Sequence, residues 1–482
     1  MKTLPPRIAA LAALTLLGGC TVGPDFKRPA PPATSAYIPA GEKPDRVVAS
    51  GDGQLRWWTA FGSPVIDDLV DRALASNHTL AASNATLMKA RQQLAAVKGT
   101  RLPQLDANAR LEQEEVNFAA YGFPGANPEF HLYSVGGIAS FDLDLFGRKR
   151  RQGEQAAADA EAELRQAEAA HLSIAGQVVT QVIAIAAINS RIATAQALID
   201  DDQRNVDLTE KRRKGGEGTL VEVLNAQSQL ADDRTLLSPL YQQRAAAGHL
   251  LAILVGASPA DFVAPDIDLS KITLPASIPV SLPSALVHRR PDILQAEAEL
   301  HSATAAIGVA TARLYPDITL GATLEQGTPA LSNLLKSGFR GYDIFAGVTA
   351  PVFHGGTYKA QQQAAIAEAK AADERYQQTV LVAFQQVADL LTGLEHDRNA
   401  VQSNRDAIAI AGRALQLSRR SFEVGNSGVL QILDSQRVYQ RALSAIVEAN
   451  ARQYLDSVQL FVATAGGWTG TTAARTNVAD RQ

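Results

Sequence analysis

The chain has 482 residues, of which 20% are charged and only 6% aromatic, with a formal net charge of −4. That length leaves room for several domains, and the mildly acidic balance gives no support for nucleic-acid binding. The single cysteine rules out an intramolecular disulfide.

Residues 1–19 read as a signal peptide. Lys2 and Arg7 form a basic start, and Ile8 to Leu17 is an apolar run too short to span a bilayer as a mature helix. The run ends in Leu17-Gly18-Gly19-Cys20, where small residues before a lone cysteine match a lipobox. Cleavage before Cys20 with acylation of its thiol is expected, which leaves 43 basic against 49 acidic residues. Thr21, where an Asp would favour inner-membrane retention, permits the outer membrane. Residues 20–56 are Pro-rich and expected to be extended.

Beyond this segment one pattern occurs twice, about 209 residues apart. Residues 57–255 and 284–466 each read as helix, β-hairpin, long helix, Gly break and helix. Residues 256–283, with Pro259, Pro265, Pro275, Pro279 and Pro283, form a crossover linker, and 467–482 a small, polar tail. The hairpins are expected near 103–142 and 316–352. Leu105, Ala107, Ala109 and Leu111 alternate with Asp106, Asn108 and Arg110; Tyr133, Val135, Ala139 and Phe141 with Ser134, Gly136 and Ser140. Ile318, Leu320, Ala322 and Leu324 alternate with Asp317, Thr319 and Thr323, and Tyr342 to Ala350 alternates less cleanly. Such segments are long enough to cross a bilayer as tilted strands. No later segment reads as a transmembrane helix; Val178 to Ile188, the best candidate, is interrupted by Gln181. Four strands cannot close a barrel and an open edge cannot persist in lipid, so transmembrane strands would require several chains to share one barrel.

The long helices carry a strict seven-residue ladder. Val380, Val387, Leu394, Val401, Ile408, Leu415 and Phe422 form one, and Val178, Ile185, Ile192, Ile199 and Val206 the other, with His171 and Arg213 as exceptions at its ends. A strict heptad stays buried only if helices supercoil against partners.

Several motifs resemble the TolC-like outer-membrane efflux family, in particular its lipoprotein (NodT-type) branch. Cys20-Thr-Val-Gly23-Pro24-Asp25-Phe26-Lys-Arg-Pro29 is similar to that branch's mature start. Trp57-Trp58, Phe61, Leu69, Ala73-Leu74 and Asn77 resemble its first helix entry, and Gly466-Gly467-Trp468 its usual ending. His288-Arg289-Arg290-Pro291-Asp292-Ile293, followed by Ala296-Glu297-Ala298-Glu299-Leu300, resembles its most specific signature. The resemblance implies a mixed α+β membrane protein: a homotrimeric twelve-stranded β-barrel, four strands per chain, continued by a long α-helical coiled-coil periplasmic barrel with a small mixed equatorial region. It implies a lipid-anchored outer-membrane duct whose partners are a periplasmic adaptor (membrane fusion protein) and an inner-membrane transporter of the resistance–nodulation–division type. A duct for a type I protein secretion system is the alternative, and a lipoprotein with soluble hairpins and no pore a third possibility.

Gly215, Gly216 and Gly425 break the helices at the same repeat position and, by the resemblance, mark the periplasmic tip. Asp434 and Gln431 match positions where family members place Asp rings facing the pore, and Glu222 matches an acidic tip position in the first half. Gln431 departs from the acidic pattern; Ser427 and Phe422 stand where some members have a latching Arg and a Tyr. Lys211-Arg212-Arg213-Lys214 precedes the first Gly break, where cations suit a helix C-terminus; docking to an acidic adaptor tip is the other reading. No catalytic grouping, metal site or cofactor other than the lipid on Cys20 is expected. The eight histidines are scattered, and Met1 and Met88 are the only methionines.

Overall fold

The computed structural model describes residues 21–39, 47–49, 56–115, 117, 122, 125 and 129–464. The signal peptide, Cys20 and Gly466-Gly467-Trp468 lie outside the described residues. In chain order the elements are β1 (Val47–Ala49), a 3-10 turn (Trp57–Phe61), α1 (Pro64–Ser76), α2 (His78–Gly99), β2 (Gln104–Glu115) and β3 (Glu129–Asp142). Then come α3 (Arg148–Lys214), α4 (Leu220–Arg234), α5 (Leu237–Leu254), β4 (Ile278–Val280), α6 (Pro283–Leu286) and α7 (Pro291–Ala312). β5 (Asp317–Thr328), β6 (Arg340–Thr349), α8 (Thr357–Glu423) and α9 (Val429–Ala463) complete the chain. Both long helices, α3 and α8, run for 67 residues, about 100 Å at 1.5 Å per residue.

The chain divides into two compact units, each drawing on both repeats. The first comprises Met1–Pro29, Thr86–Leu164 and Gln295–Gln377. Its centre is an antiparallel sheet in the order β2-β3-β5-β6. Leu105 pairs with Ala139 and Ala109 with Val135; Ala139 pairs with Ala322, and Ala322 with Ile344. Directly paired residues share a face, so Leu105, Ala139, Leu320, Ala322, Ile344 and Val348 form one apolar surface. The other face carries Asp106, Asn108, Arg110, Ser134, Thr323, Glu325 and Asp343.

The second unit comprises Ala30–Ala85, Arg165–Leu294 and Gln378–Gln482. Its core gathers Trp57, Phe61, Ile66 and Val70 with Val178, Val182, Ile183 and Ile185 of α3, Val387 of α8 and Leu460 and Phe461 of α9. Trp57 stacks on Phe461 at 5.3 Å and meets Phe61 edge-on. Each fully buried Val, Ile or Phe contributes about 1.5–3 kcal/mol, which accounts for the apolar middle of α3. By length and composition α3 does have a window apolar enough to cross a membrane, contrary to the sequence expectation, but 56% of that window is buried inside the protein. The ladder residues Val380, Val387, Leu394, Val401, Leu415 and Phe422 are buried, as are Val178, Ile185, Ile199 and Val206; Ile192 and Ile408 are half-buried. Asn77 opens α2: its Oδ1 accepts the Leu80 N–H at 3.0 Å and its Nδ2 donates to the Leu254 carbonyl at 2.9 Å.

Candidate functional site

Three places carry the chemistry: the sheet faces, the strap behind Cys20, and the helix ends at the Gly breaks.

The strap, residues 21–29, lies in the first unit. Val22 N donates to the Phe146 carbonyl at 3.1 Å. Arg151, only 3% exposed, donates from Nε to the Val22 carbonyl and from Nη2 to the Gly23 carbonyl, both at 3.2 Å. The same guanidinium reaches Asp25 at 2.8 Å and Glu154 at 2.7 Å. Glu154 also meets His301 at 3.0 Å, and His301 stacks on Phe26 at 4.3 Å. Burial pushes the Glu154 carboxyl up, but Arg151 and His301 outweigh it and hold the group below the usual carboxylate range. Arg28 donates to Glu297 of the signature segment at 2.6 Å. Val22 and Gly23, two and three residues after Cys20, are thus tied to Arg151 in the first turn of α3. In the sequence Gly23, Asp25 and Phe26 are a match to a family start and nothing more; Arg151, 126 positions away from Asp25, carries no local signal.

In the second unit, Arg290 of the Arg-Pro-Asp signature is buried. Its Nε donates to both Asp292 oxygens at 2.8 and 3.0 Å, its Nη1 to the Ala463 carbonyl at 3.2 Å, and its Nη2 to Gln386. The signature therefore ties the start of α7 to α8 and to the end of α9.

Both Gly breaks build the same C-cap. Gly216 N donates to the Arg213 carbonyl at 3.1 Å and Glu217 N to Arg212 at 2.9 Å; Gly425 N donates to Phe422 at 3.0 Å and Asn426 N to Ser421 at 2.9 Å. This is the Schellman pattern, which needs a left-handed residue, and Gly216 and Gly425 have φ of +81° and +78°. Gly215 continues the last turn of α3, its N–H donating to the Lys211 carbonyl at 3.0 Å. Glu222 is half of a capping box: its N–H donates to Thr219 Oγ1 at 3.3 Å and its carboxylate accepts the Thr219 N–H at 2.8 Å. Gln431 and Asp434 lie nearly one turn apart on α9 and are both exposed. Of the basic run, Arg212 has a specific partner: its guanidinium lies 4.4 Å from the Phe422 ring centroid and donates to the Phe422 carbonyl at 3.1 Å. It joins the two repeats at their Gly breaks, a role that repeat-internal reading could not find. Two to three turns further along the helices, Asp202, Asn205, Gln229, Asp233 and Gln436 form a buried polar network that no sequence pattern signals. Among the described residues no cluster of three or more His, Cys, Asp or Glu side chains could hold a metal ion.

The chain matches the family described as outer membrane efflux protein over residues 69–257 and 282–466. It belongs to the outer membrane efflux protein family. It is similar to the pyoverdine export outer membrane protein OpmQ of Pseudomonas aeruginosa, at 28% identity over 96% of this chain and 97% of that protein. The outer membrane protein OprJ of the same species is 28% identical, covering 95% of each. The solved structure of the outer-membrane channel OprN superposes with a TM-score of 0.86 at 27% identity, covering 93% of this chain and 100% of that one. The expected mixed α+β channel fold is the fold of that structure. This family member is thus the outer-membrane channel component of an efflux pump and resides in the outer membrane.

Proposed function

We propose that three copies of this chain close one twelve-stranded barrel and that their long helices extend it through the periplasm as a passive, non-enzymatic conduit. The observation that carries this reading is the register of the four-stranded sheet. It gathers Leu105, Ala139, Leu320, Ala322, Ile344 and Val348 on one face and most polar side chains on the other, with Ile138 of β3 and Phe345 of β6 as exceptions there, and leaves β2 and β6 at its edges. In hydrocarbon each unpaired backbone group costs several kcal/mol. Because the strand count per chain is even, β6 of one copy meets β2 of the next antiparallel, and the alternation continues around the ring. Three is the number that the family resemblance supplies.

In this reading an acyl chain on Cys20 anchors the mature N-terminus and the strap holds it beside α3. A periplasmic adaptor engages the helix ends at Gly215, Gly216 and Gly425, and an inner-membrane transporter supplies the drive. Asp434, Gln431 and Glu222 form the gate, where three copies of a carboxylate around one axis favour cations. The cargo is a small toxic compound or drug, selected by the transporter. The test is light scattering of the lipidated protein in mild detergent together with single-channel recording in planar bilayers. Trimers with discrete conductance are expected; a monomer without conductance refutes the proposal. Deleting the gene should raise drug sensitivity; loss of a secreted protein instead would point to a secretion duct.

A further inference from the structure

We infer that α3, α4 and α9 in the second unit are joined by a proton-operated fastening: Asp202 of α3 and Asp233 of α4 share one proton, and this singly protonated pair pins α9 through Gln436. The geometry comes first. Asp202 is 1% exposed and Asp233 6%. Gln436 Nε2 donates to Asp202 Oδ1 at 2.6 Å, while its Oε1 accepts from Asn205 at 2.8 Å, so this amide is committed in both directions. Asp233 accepts from Gln229 at 2.9 Å and from Gln440 at 3.2 Å. Gln436 and Gln440, which hold the two carboxyls, are one turn apart on the same face of α9, and Asp202 Oδ2 is buried with no donor. Carboxylates only accept; one proton between them supplies the missing donor.

The surrounding charges do not replace that proton. Asp201 on α3 is taken by Arg419 of α8 at 2.9 Å and by Arg204. Arg437 on α9 donates both Nε and Nη2 to Gln229 Oε1, at 3.0 and 2.9 Å. Burial, then the bond and the charge of Asp233, push Asp202 up to about 8.

The internal repeat supplies an independent comparison. The positions 209 residues on are Ala411 and Ala442, both buried. Both acids are replaced together by buried alanines at the matching positions of α8 and α9, so the repeat pattern itself does not require them. Two buried carboxyls that the repeat pattern does not need, joined through an amide to a third helix, constitute a device that holds in its protonated form and loosens above about pH 8. That loosening widens the duct rests on the channel reading above; the fastening itself does not.

The experiment is hydrogen exchange of the full-length protein in nanodiscs, followed on peptides spanning 196–236 and 430–442 between pH 6 and 9, with intrinsic rates corrected. Wild type should lose protection by roughly tenfold per pH unit above 8. Asp202→Asn, whose amide donates permanently, should keep its protection, and the double variant Asp202→Ala/Asp233→Ala, which copies the second repeat, should show no pH step. A flat wild-type profile, or the same step in both variants, overturns the fastening. Conductance is recorded in parallel: a rise above pH 8 only in wild type supports the link to the duct, and a protection step without a conductance change overturns that link alone.

Discussion

Arg151→Ala should release the strap behind Cys20 while leaving the fold intact. Arg151 holds the Val22 and Gly23 carbonyls through charge-assisted hydrogen bonds of 3.2 Å. Such bonds contribute about 1.5–3 kcal/mol each, and their length places them near the lower figure. The pair with Asp25 adds at most about 0.5 kcal/mol, because that carboxylate is 87% exposed. The Arg151 stem also packs against Gly308, and losing that contact costs on the order of 0.5 kcal/mol. The total is about 3–4 kcal/mol, or roughly two to three orders of magnitude in local opening. Phe26 on His301 and Arg28 on Glu297 remain, so the strap loosens without losing every contact. Trypsin cleavage after Lys27 reads the opening directly. Under native conditions the variant should be nicked at least about a hundredfold faster than wild type, and Arg151→Lys should fall between them. An unchanged nicking rate, with the same melting temperature, would refute the assignment of the strap to this guanidinium.

Ile344→Arg, on the apolar sheet face midway along β6, should destabilise the membrane-embedded protein by about 2–4 kcal/mol in urea titrations in lipid vesicles. Asp343→Arg, on the opposite face, should be tolerated and instead shift conductance. Thr219→Ala removes half of a capping box and should cost about 1 kcal/mol, read as increased hydrogen exchange in the first turn of α4. Burial, then the neighbouring charge of Asp456, push Asp397 up to about 7. A raised carboxyl favours the folded state only while protonated, so the melting temperature should fall from pH 5 to pH 8 and Asp397→Asn should make that decline shallower. Asp434→Asn should lower cation selectivity in single-channel recordings; equal selectivity would remove Asp434 from the pore.

The ladder from Val380 to Phe422 was legible because a strict seven-residue spacing repeats over the helix, and burial follows it except at half-buried Ile408. Strand alternation was equally legible for β2, β3 and β5. It blurred in β6 because Phe345 sits on the polar face, its ring over Gly321 of β5, where any side chain would collide with it. The repeat pattern predicts a single helix after the first Gly break, and the structure divides it into α4 and α5. A proline cannot follow four residues behind a helical carbonyl, and Pro239 therefore ends the helix near Thr235, whereas the repeat position is Glu448 and α9 runs on unbroken. The Asp202–Gln436 bond and the Arg151 strap contacts span 234 and 126–129 positions; no local pattern encodes such pairs, since their partners meet only after the helices have packed.

The two parts of the chain call for companion copies on separate physical grounds. In the sheet the reason is hydrogen bonding, since β2 and β6 each end in an unpaired edge. In α8 the reason is apolar surface. Ile410, Leu417 and, just past the helix end, Val424 recur every seven residues and are 70%, 67% and 65% exposed in the single chain. They stand two positions after Ile408, Leu415 and Phe422, about 200° around the helix, so the ladder that this chain buries has a second ladder behind it. One chain cannot wrap both sides of the same helix, and a seven-residue seam is filled by another helix with the same supercoil. A ring of identical copies meets both demands with one symmetry operation. A variant that blocks the strand edges should therefore also leave Ile410 and Leu417 accessible to solvent, although they lie in a different compact unit from the sheet.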